Sequence, residues 1–322
     1  MTNPLRLSLA ALLCMFAASA LAQFPAKPVR VIVPFTAGSA IDVNARLIGQ
    51  KLSEMWGQQV IADNRPGANS IIGMEAAAKA PPDGYTLVLG NDAALAMNPA
   101  LQPKLPYDPG RDFEPITLIG SNSLLLVVPT SSPVRTVKDL LALARERKGE
   151  LNYASGGNGS AQHIPMEILM SMTGVRLTHV SYKGVGPALT DVVGGQVPVM
   201  FAGTPGALPH VRSGRLRALA IASATRSPAA PEVPTVEEAG VPGYYYTAWV
   251  GYLAAAGTPR DIVGRLNADI IKAISAPDVR EKLAAVGFET QTGTPEEFAQ
   301  LIARERVRMA KLVRDAGIKA DQ

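Results

Sequence analysis

Val29-Arg30-Val31-Ile32-Val33-Pro34-Phe35-Thr36-Ala37-Gly38-Ser39 is a β-branched run that breaks into a loop of small residues. A near-continuous apolar run is what a strand buried on both faces requires, because a strand with one wet face alternates instead. Downstream, Ile41, Ala45, Ile48, Leu52 and Met55 recur at helical spacing, and Gly57 ends that helix. Val60-Ile61-Ala62 gives a second strand, and the Gly-rich stretch from Asn64 to Gly73 opens another helix. Pro81-Pro82-Asp83-Gly84 then turns the chain into the strand Thr86-Leu87-Val88-Leu89. The order is βαβαβ, hence a parallel sheet with right-handed crossovers.

The same grammar restarts after an apolar run from Ser123 to Val128. Leu140 to Arg147 reads as helix and Leu151 to Ala154 as strand; the loop Ser155-Gly156-Gly157-Asn158-Gly159-Ser160 leads into a helix from Ala161 to Thr173. Further strands are expected at Leu177–Tyr182, Val197–Phe201 and Leu216–Ala222, before a Pro-rich connection from Ser227 to Pro242. Tyr245 to Ala255 reads as a strand returning to the first domain, followed by helices at Asp261–Ser275, Pro277–Val286 and Pro295–Ala316. The spacing predicts two similar α/β domains. Residues 23–122 with 249–322 form the first and 123–248 the second, with crossings near Ser121–Leu125 and Tyr246–Val250.

The 322 residues carry 31 Lys plus Arg against 27 Asp plus Glu, with 47% hydrophobic and 18% charged, too apolar for a disordered chain. The cationic residues are scattered, so nucleic acid is not an expected partner. Arg6, the apolar stretch Leu7–Phe16 and Ala20-Leu21-Ala22 read as a signal peptide over residues 1–22, cleaved after Ala22. That stretch is shorter than the roughly 20 residues that span a bilayer. A soluble periplasmic protein is expected. The single cysteine, Cys14, lies inside the signal, which removes disulfides, thiol catalysis and Cys-ligated metals from the mature chain.

In open α/β sheets ligands sit beyond the carboxyl ends of the strands, where loops lead into helix N-termini. Phe35–Ser39 and Ser155–Ser160 both fit, and a helix N-terminus there favours a carboxylate or phosphate. Each loop also reads as an ordinary tight βα turn. No Walker sequence and no G-x-S-x-G elbow is present, and the three histidines, His163, His179 and His210, offer few metal clusters or triads; no metal, cofactor or catalytic residue is expected. Ser160 and His163, three apart, admit a nucleophile and base pair, against a helix-capping serine and a hydrogen-bonded core histidine. Asp42 and Arg46 form an i,i+4 pair, and Arg304, Arg306, Arg308, Lys311 and Arg314 read as a solvated helix face.

Pro34–Gly38 with Asp42 and Arg46, Asn64–Ala68, Pro82–Leu87, Tyr153–Ser160 with His163, and Tyr182-Lys183-Gly184 together, in this order, resemble the Bug receptors, the substrate-binding proteins of tripartite tricarboxylate transporters. The resemblance implies an α/β two-domain periplasmic-binding-protein (Venus flytrap) fold. The implied ligand is a small carboxylate, commonly a di- or tricarboxylate, an acidic amino acid or an aromatic acid, held by backbone N–H groups and ordered waters. By position, the contacts implied are Phe35, Ala37, Gly38 and Ser39 in the first domain and Ser155, Gly159, Ser160 and His163 in the second, with Asn91 and the strand-end position Ala202 beside them. Ser39 stands where the family often has glycine, Ala40 where it has Ser or Thr, and Asn69-Ser70 makes the third loop less glycine-rich. Members that bind amino acids place an acidic residue where Ala202 stands, so a ligand without an α-amino group is favoured. The partners implied are the carboxylate and membrane transporter subunits, with the receptor itself a monomer. A sensor feeding a signalling receptor and an exported hydrolase using Ser160 with His163 are the alternatives. Retained ligand binding by a Ser160→Ala variant of a protein without turnover discards the hydrolase.

Overall fold

The computed structural model describes residues 24–102, 104–285, 287–316 and 318, so the expected signal peptide lies outside the described residues. Strand β1 (Val29–Val33) is buried at every position but Arg30, which is half-buried. It pairs in parallel with β2 (Val60–Asn64) on one side and β3 (Thr86–Asn91) on the other, joined through helices α1 (Ala40–Trp56) and α2 (Ile71–Ala78). From β3 the chain runs through a π-helical turn, Ala93–Met97, into the short helix α3 (Asn98–Leu101) and then β4 (Phe113–Asn122).

At Ser123 it changes sheets. Strand β5 (Leu124–Pro129) opens the second sheet, and α4 (Val137–Arg147) follows, started by a reciprocal cap between Thr136 and Asp139. Next come β6 (Asn152–Ser155), α5 (Ile164–Thr173), β7 (Thr178–Ser181), α6 (Val185–Val193), β8 (Met200–Gly203), α7 (Thr204–Arg212) and β9 (Leu216–Ile221). Strand β10 (Ala248–Ala255) returns to the first sheet, followed by α8 (Arg260–Ser275), α9 (Pro277–Ala285), β11 (Phe288–Thr290) and α10 (Pro295–Ala316).

The sheet orders are β11-β4-β10-β3-β1-β2 and β7-β6-β8-β5-β9. In both, three parallel strands stand in the order second, first, third, and an antiparallel strand closes the third: β10 against β3, β5 against β8. Those closing strands are the ones that immediately follow the two changes of sheet. One apolar cluster spans both sheets, with Ile32 and Val88 from the first, Leu126 and Tyr153 from the second, and Met97, Phe298 and Ile302 between them. Helix α10 packs against the π-helical turn, β4 and α5.

Several elements differ from the sequence expectation. The ten-residue β4 is absent from the sequence expectation; it contains Pro115 and Gly120, residue types that weaken a strand pattern. Pro115 is tolerated because β11 covers only Gly120–Asn122, so the flank of Pro115 away from β10 has no ladder to complete. Helices α6 and α7 contain Gly186, Pro187, Pro205 and Pro209, which hid their apolar faces. Helix α5 starts at Ile164 rather than Ala161, and β10 at Ala248 rather than Tyr245. The basic face of α10 is not uniformly solvated: Glu305 is buried, and Arg308 bonds it at 2.9 Å, donates to the Tyr245 carbonyl at 2.6 Å and covers the Tyr245 ring.

Gly120 carries a geometric constraint of its own. The β4–β10 register passes from Val250 opposite Gly120 to Gly251 opposite Leu118, leaving Ile119 as a bulge, and Gly120 sits at φ +147°. A Cβ there would lie 2.3 Å from the Glu289 carbonyl of β11. Gly120→Ala is expected to cost about 2 kcal/mol or more, read as a lower urea midpoint. Gly186→Ala, at an open helical position, is expected not to lower it.

Candidate functional site

The two βα loops singled out from sequence are held by the same device. In the first, Gly38 adopts a left-handed φ of +79° and its N–H donates to Asp42 Oδ2 at 2.8 Å. In the second, Gly159 sits at φ +69° and its N–H donates to His163 Nδ1 at 3.1 Å. Both acceptors lie four residues on and are buried, Asp42 2% and His163 4% exposed. Each is braced by a residue four further along: Arg46 Nε donates to Asp42 at 3.0 Å, and His163 Nε2 faces Glu167 Oε1 at 3.3 Å.

Asn64 Nδ2 completes the first bracket, donating to Asp42 Oδ1 at 2.8 Å. Burial by itself would raise the Asp42 pKa, but the hydrogen bonds from Arg46, Gly38 and Asn64 outweigh it and hold the carboxyl below its usual value. In the second bracket His163 stacks on His179 at 4.3 Å between centroids, and His179 stacks on Tyr153 at 4.9 Å. Tyr153 in turn donates its hydroxyl to Glu167 at 2.6 Å. Because Nδ1 accepts from Gly159, the ring proton of His163 belongs on Nε2, toward Glu167. Ser160 Oγ meets the backbone N–H of His163 at 3.3 Å rather than its ring. His163 is therefore engaged at both nitrogens and makes no base for Ser160.

Between the sheets lies a cleft of about 420 Å³. Phe35, Ser39 and Ile41 of the first loop and helix face it, as do Ser160, Ala161 and Gln162 of the second. Ser39 caps α1, its Oγ accepting the Asp42 N–H at 3.3 Å, which leaves the N–H groups of the first helical turn at Ala40 and Ile41 without intrahelical acceptors. Among the described residues no Lys, Arg or His lines the cleft. The walls are apolar, with Leu124, Val185, Leu189, Pro205 and Trp249 prominent.

Of the residues picked out from sequence, Phe35, Ser39, Asn91 and Ser160 line this cleft, whereas Ala37, Gly38, Ser155, Gly159, His163 and Ala202 are not among its lining residues. Ala37 and Gly38 are exposed on the loop, and the N–H groups of Gly38 and Gly159 are spent on Asp42 and His163. Ser155 is buried, its Oγ accepting from Gly157 and touching His179 Nε2. Ala202 is buried in β8, one residue before the cleft-lining Gly203.

Asp92, Asn122 and Trp249 were not singled out from sequence, although each lies at or beside a strand end or an expected crossing. Asp92 follows β3, is 8% exposed, and accepts a short hydrogen bond from the Tyr246 hydroxyl. Burial pushes its pKa up to about 7; the Tyr246 and Ala93 hydrogen bonds oppose that shift, and the nearby Glu305 adds to it. Asn122 Oδ1 and Trp249 Nε1 are buried without a hydrogen-bond partner among the described residues. No group of three His, Cys, Asp or Glu among the described residues could hold a metal ion, and no described helix is long and apolar enough to cross a membrane.

Residues 44–318 match the family described as Tripartite tricarboxylate transporter family receptor. Protein BugT of Bordetella pertussis is 38% identical over 297 residues, covering 92% of this chain and 91% of its own. Among solved structures, R. palustris Rpa4515 with adipate is 37% identical with a TM-score of 0.84, covering 92% of this chain and 99% of that one. MatC from Rhodopseudomonas palustris with bound malate is 35% identical with a TM-score of 0.80, covering 90% and 100%. The two sheets with the cleft between them are a two-domain periplasmic-binding-protein, or Venus flytrap, fold.

Two outcomes follow from these geometries. Asp42→Ala strips three hydrogen bonds from the first loop and is expected to cost about 3 kcal/mol in chemical denaturation. The raised pKa of Asp92 means the folded state holds its proton more tightly than the unfolded state. Its contribution is full below about pH 4 and is lost as pH rises to about 7. Asp92→Asn, which keeps an acceptor for Tyr246, is therefore expected to be the more stable protein at pH 8 by on the order of 2 to 4 kcal/mol. That advantage shrinks toward pH 4 in parallel urea titrations.

Proposed function

Because the chain belongs to the tripartite tricarboxylate transporter receptor family, whose members are periplasmic solute-binding proteins, we propose that it captures a small carboxylate in the interdomain cleft and delivers it to the membrane subunits of such a transporter. The observation that carries the reading is the convergence of a helix N-terminus at Ser39–Ile41 and of the turn Ser160–Gln162, which leads into α5, on one cleft without a lining cation. Unpaired N–H groups at helix starts favour a carboxylate there, with dipoles and bridging water balancing its charge.

The mature receptor begins after Ala22 and acts as a monomer without covalent chemistry. Residues 23–122 with 249–322 form one lobe and 123–248 the other. Ligand bound between them stabilises the closed arrangement by its higher affinity for it, and the membrane partner reads that closure. That relatives are described with adipate and malate supports the carboxylate class.

A thermal-shift screen against small carboxylates, amino acids, sugars and phosphates tests the proposal. A ligand at 100 times its Kd adds about 2.7 kcal/mol, which for a chain of this size raises the midpoint by roughly 5 °C or more. A shift confined to one carboxylate class is the expected result. A shift from sugars or amines alone overturns the proposal.

A further inference from the structure

The cleft is polarised along the sheets. The cleft-lining loops follow β1 in one sheet and β6 in the other, and each sheet then steps through its third strand to its antiparallel one, β3 to β10 and β8 to β5. With strands about 4.8 Å apart, β10 lies about 10 Å from β1 and β4 about 14 Å. Thus Ser39 and Ser160 mark one end of the cleft, while Asn122 of β4 and Trp249 of β10 mark the other, with Asp92 beside them at the end of β3.

The far end is chemically unlike the near end. It offers a carboxyl group, Asp92, bonded by Tyr246 and near Glu305, whose charge Arg308 pairs at 2.9 Å, and among the described residues no Lys, Arg or His lines the cleft itself to offset Asp92. It also holds an orphaned acceptor, Asn122 Oδ1, and an orphaned donor, Trp249 Nε1, on a residue 5% exposed. Buried polar atoms are ordinarily paired, and each unpaired one costs free energy that a partner recovers. A carboxylate has no proton to give Asn122 or Asp92, and an ammonium has no lone pair for Trp249. A hydroxyl or carboxamide has both. The lining also includes Leu124, Val185 and Leu189, which reward an apolar body.

Resting on the carboxylate reading above, we propose that the cleft selects an acid with a single carboxylate at the loops, an apolar body, and a neutral hydroxyl or carboxamide at the hinge end, and that Asp92 disfavours a second carboxylate there. The charge argument sets the direction: a second anion would be desolvated beside Asp92 without a counter-ion.

Isothermal titration of the purified protein at pH 8, where Asp92 is mostly ionised, provides the test with two matched sets of probes. The first is 6-hydroxyhexanoate, hexanoate and adipate; the second is 4-hydroxybenzoate, benzoate and terephthalate. The expected order in at least one set is hydroxy acid tightest and dicarboxylate weaker by about tenfold or more. A dicarboxylate that binds as tightly as the hydroxy acid in the set that binds overturns this proposal and leaves the carboxylate receptor standing. Failure of every acid in both sets overturns this proposal, and the carboxylate reading falls with it only where the wider carboxylate screen also gives no shift.

Asp92→Asn is expected to narrow the gap between hydroxy acid and dicarboxylate by about tenfold, and an unchanged gap removes Asp92 from the argument. Should that variant fail to fold, Asn122→Leu reads the other half. It is expected to abolish the advantage of the hydroxy acid over the plain monocarboxylate, and an advantage that persists overturns the role of the hinge end.

Discussion

Both cleft-facing loops depend on an acceptor placed four residues after a left-handed glycine. A βα loop that approaches a ligand closely must leave some N–H groups free while pairing the rest, since an unpaired buried donor is costly. Asp42 and His163 take the N–H of Gly38 and Gly159, and Arg46 and Glu167 hold those acceptors in place from the next helical turn. The charge pattern is inverted between lobes: an acid braced by a base in one, an imidazole braced by an acid in the other. With the tight-turn N–H groups paired internally, the N–H groups facing the cleft are those of the segments that follow, the first turn of α1 and the turn before α5.

That division of labour explains why the two sheets share one strand order although their helices differ in length and composition. In each sheet the order second, first, third, then antiparallel closure sets the loop after the first strand two strands away from the sheet-changing strand, and both loops line the one cleft. The antiparallel closing strands β5 and β10 are also the connections, so the cleft floor at Leu124 and Trp249 is built from the segments about which lobes would turn. The loops alone do not make the cleft; its far end belongs to the crossings.

The fold was legible in the sequence because β1, its loop and α1 carry signals of different period side by side, with Gly57 as a stop. The restart at Ser123 was legible for the same reason. Strand β4 was not, since its partners β10 and β11 lie far along the chain, and only the close approach of β11 explains Gly120. At the site, the loops were found from their position after strands, and the family resemblance pointed to the same segments. What the residues could not convey was which N–H groups are consumed: the pairing of Gly38 with Asp42 looks, in sequence, like an aspartate beside an arginine. Asp92, Asn122 and Trp249 escaped notice because an acid, an amide and an indole at strand ends have no distinctive spacing, and only the sheet order brings them to one place.

The apolar cluster running from Ile32 and Val88 through Met97 and Phe298 to Leu126 and Tyr153 binds the lobes into one cooperative unit. Each lobe also has an apolar cluster of its own, around Val31, Ile48 and Tyr252 in the first and Leu125, Met200 and Ile221 in the second, but neither can melt while the other stays intact without exposing its share of the cluster they hold in common. A molecule gripping only the cleft surface thereby protects backbone amides in strands it never touches. Binding in the cleft would make global opening rarer, so slowed hydrogen exchange deep in both sheets would carry the imprint of the ligand.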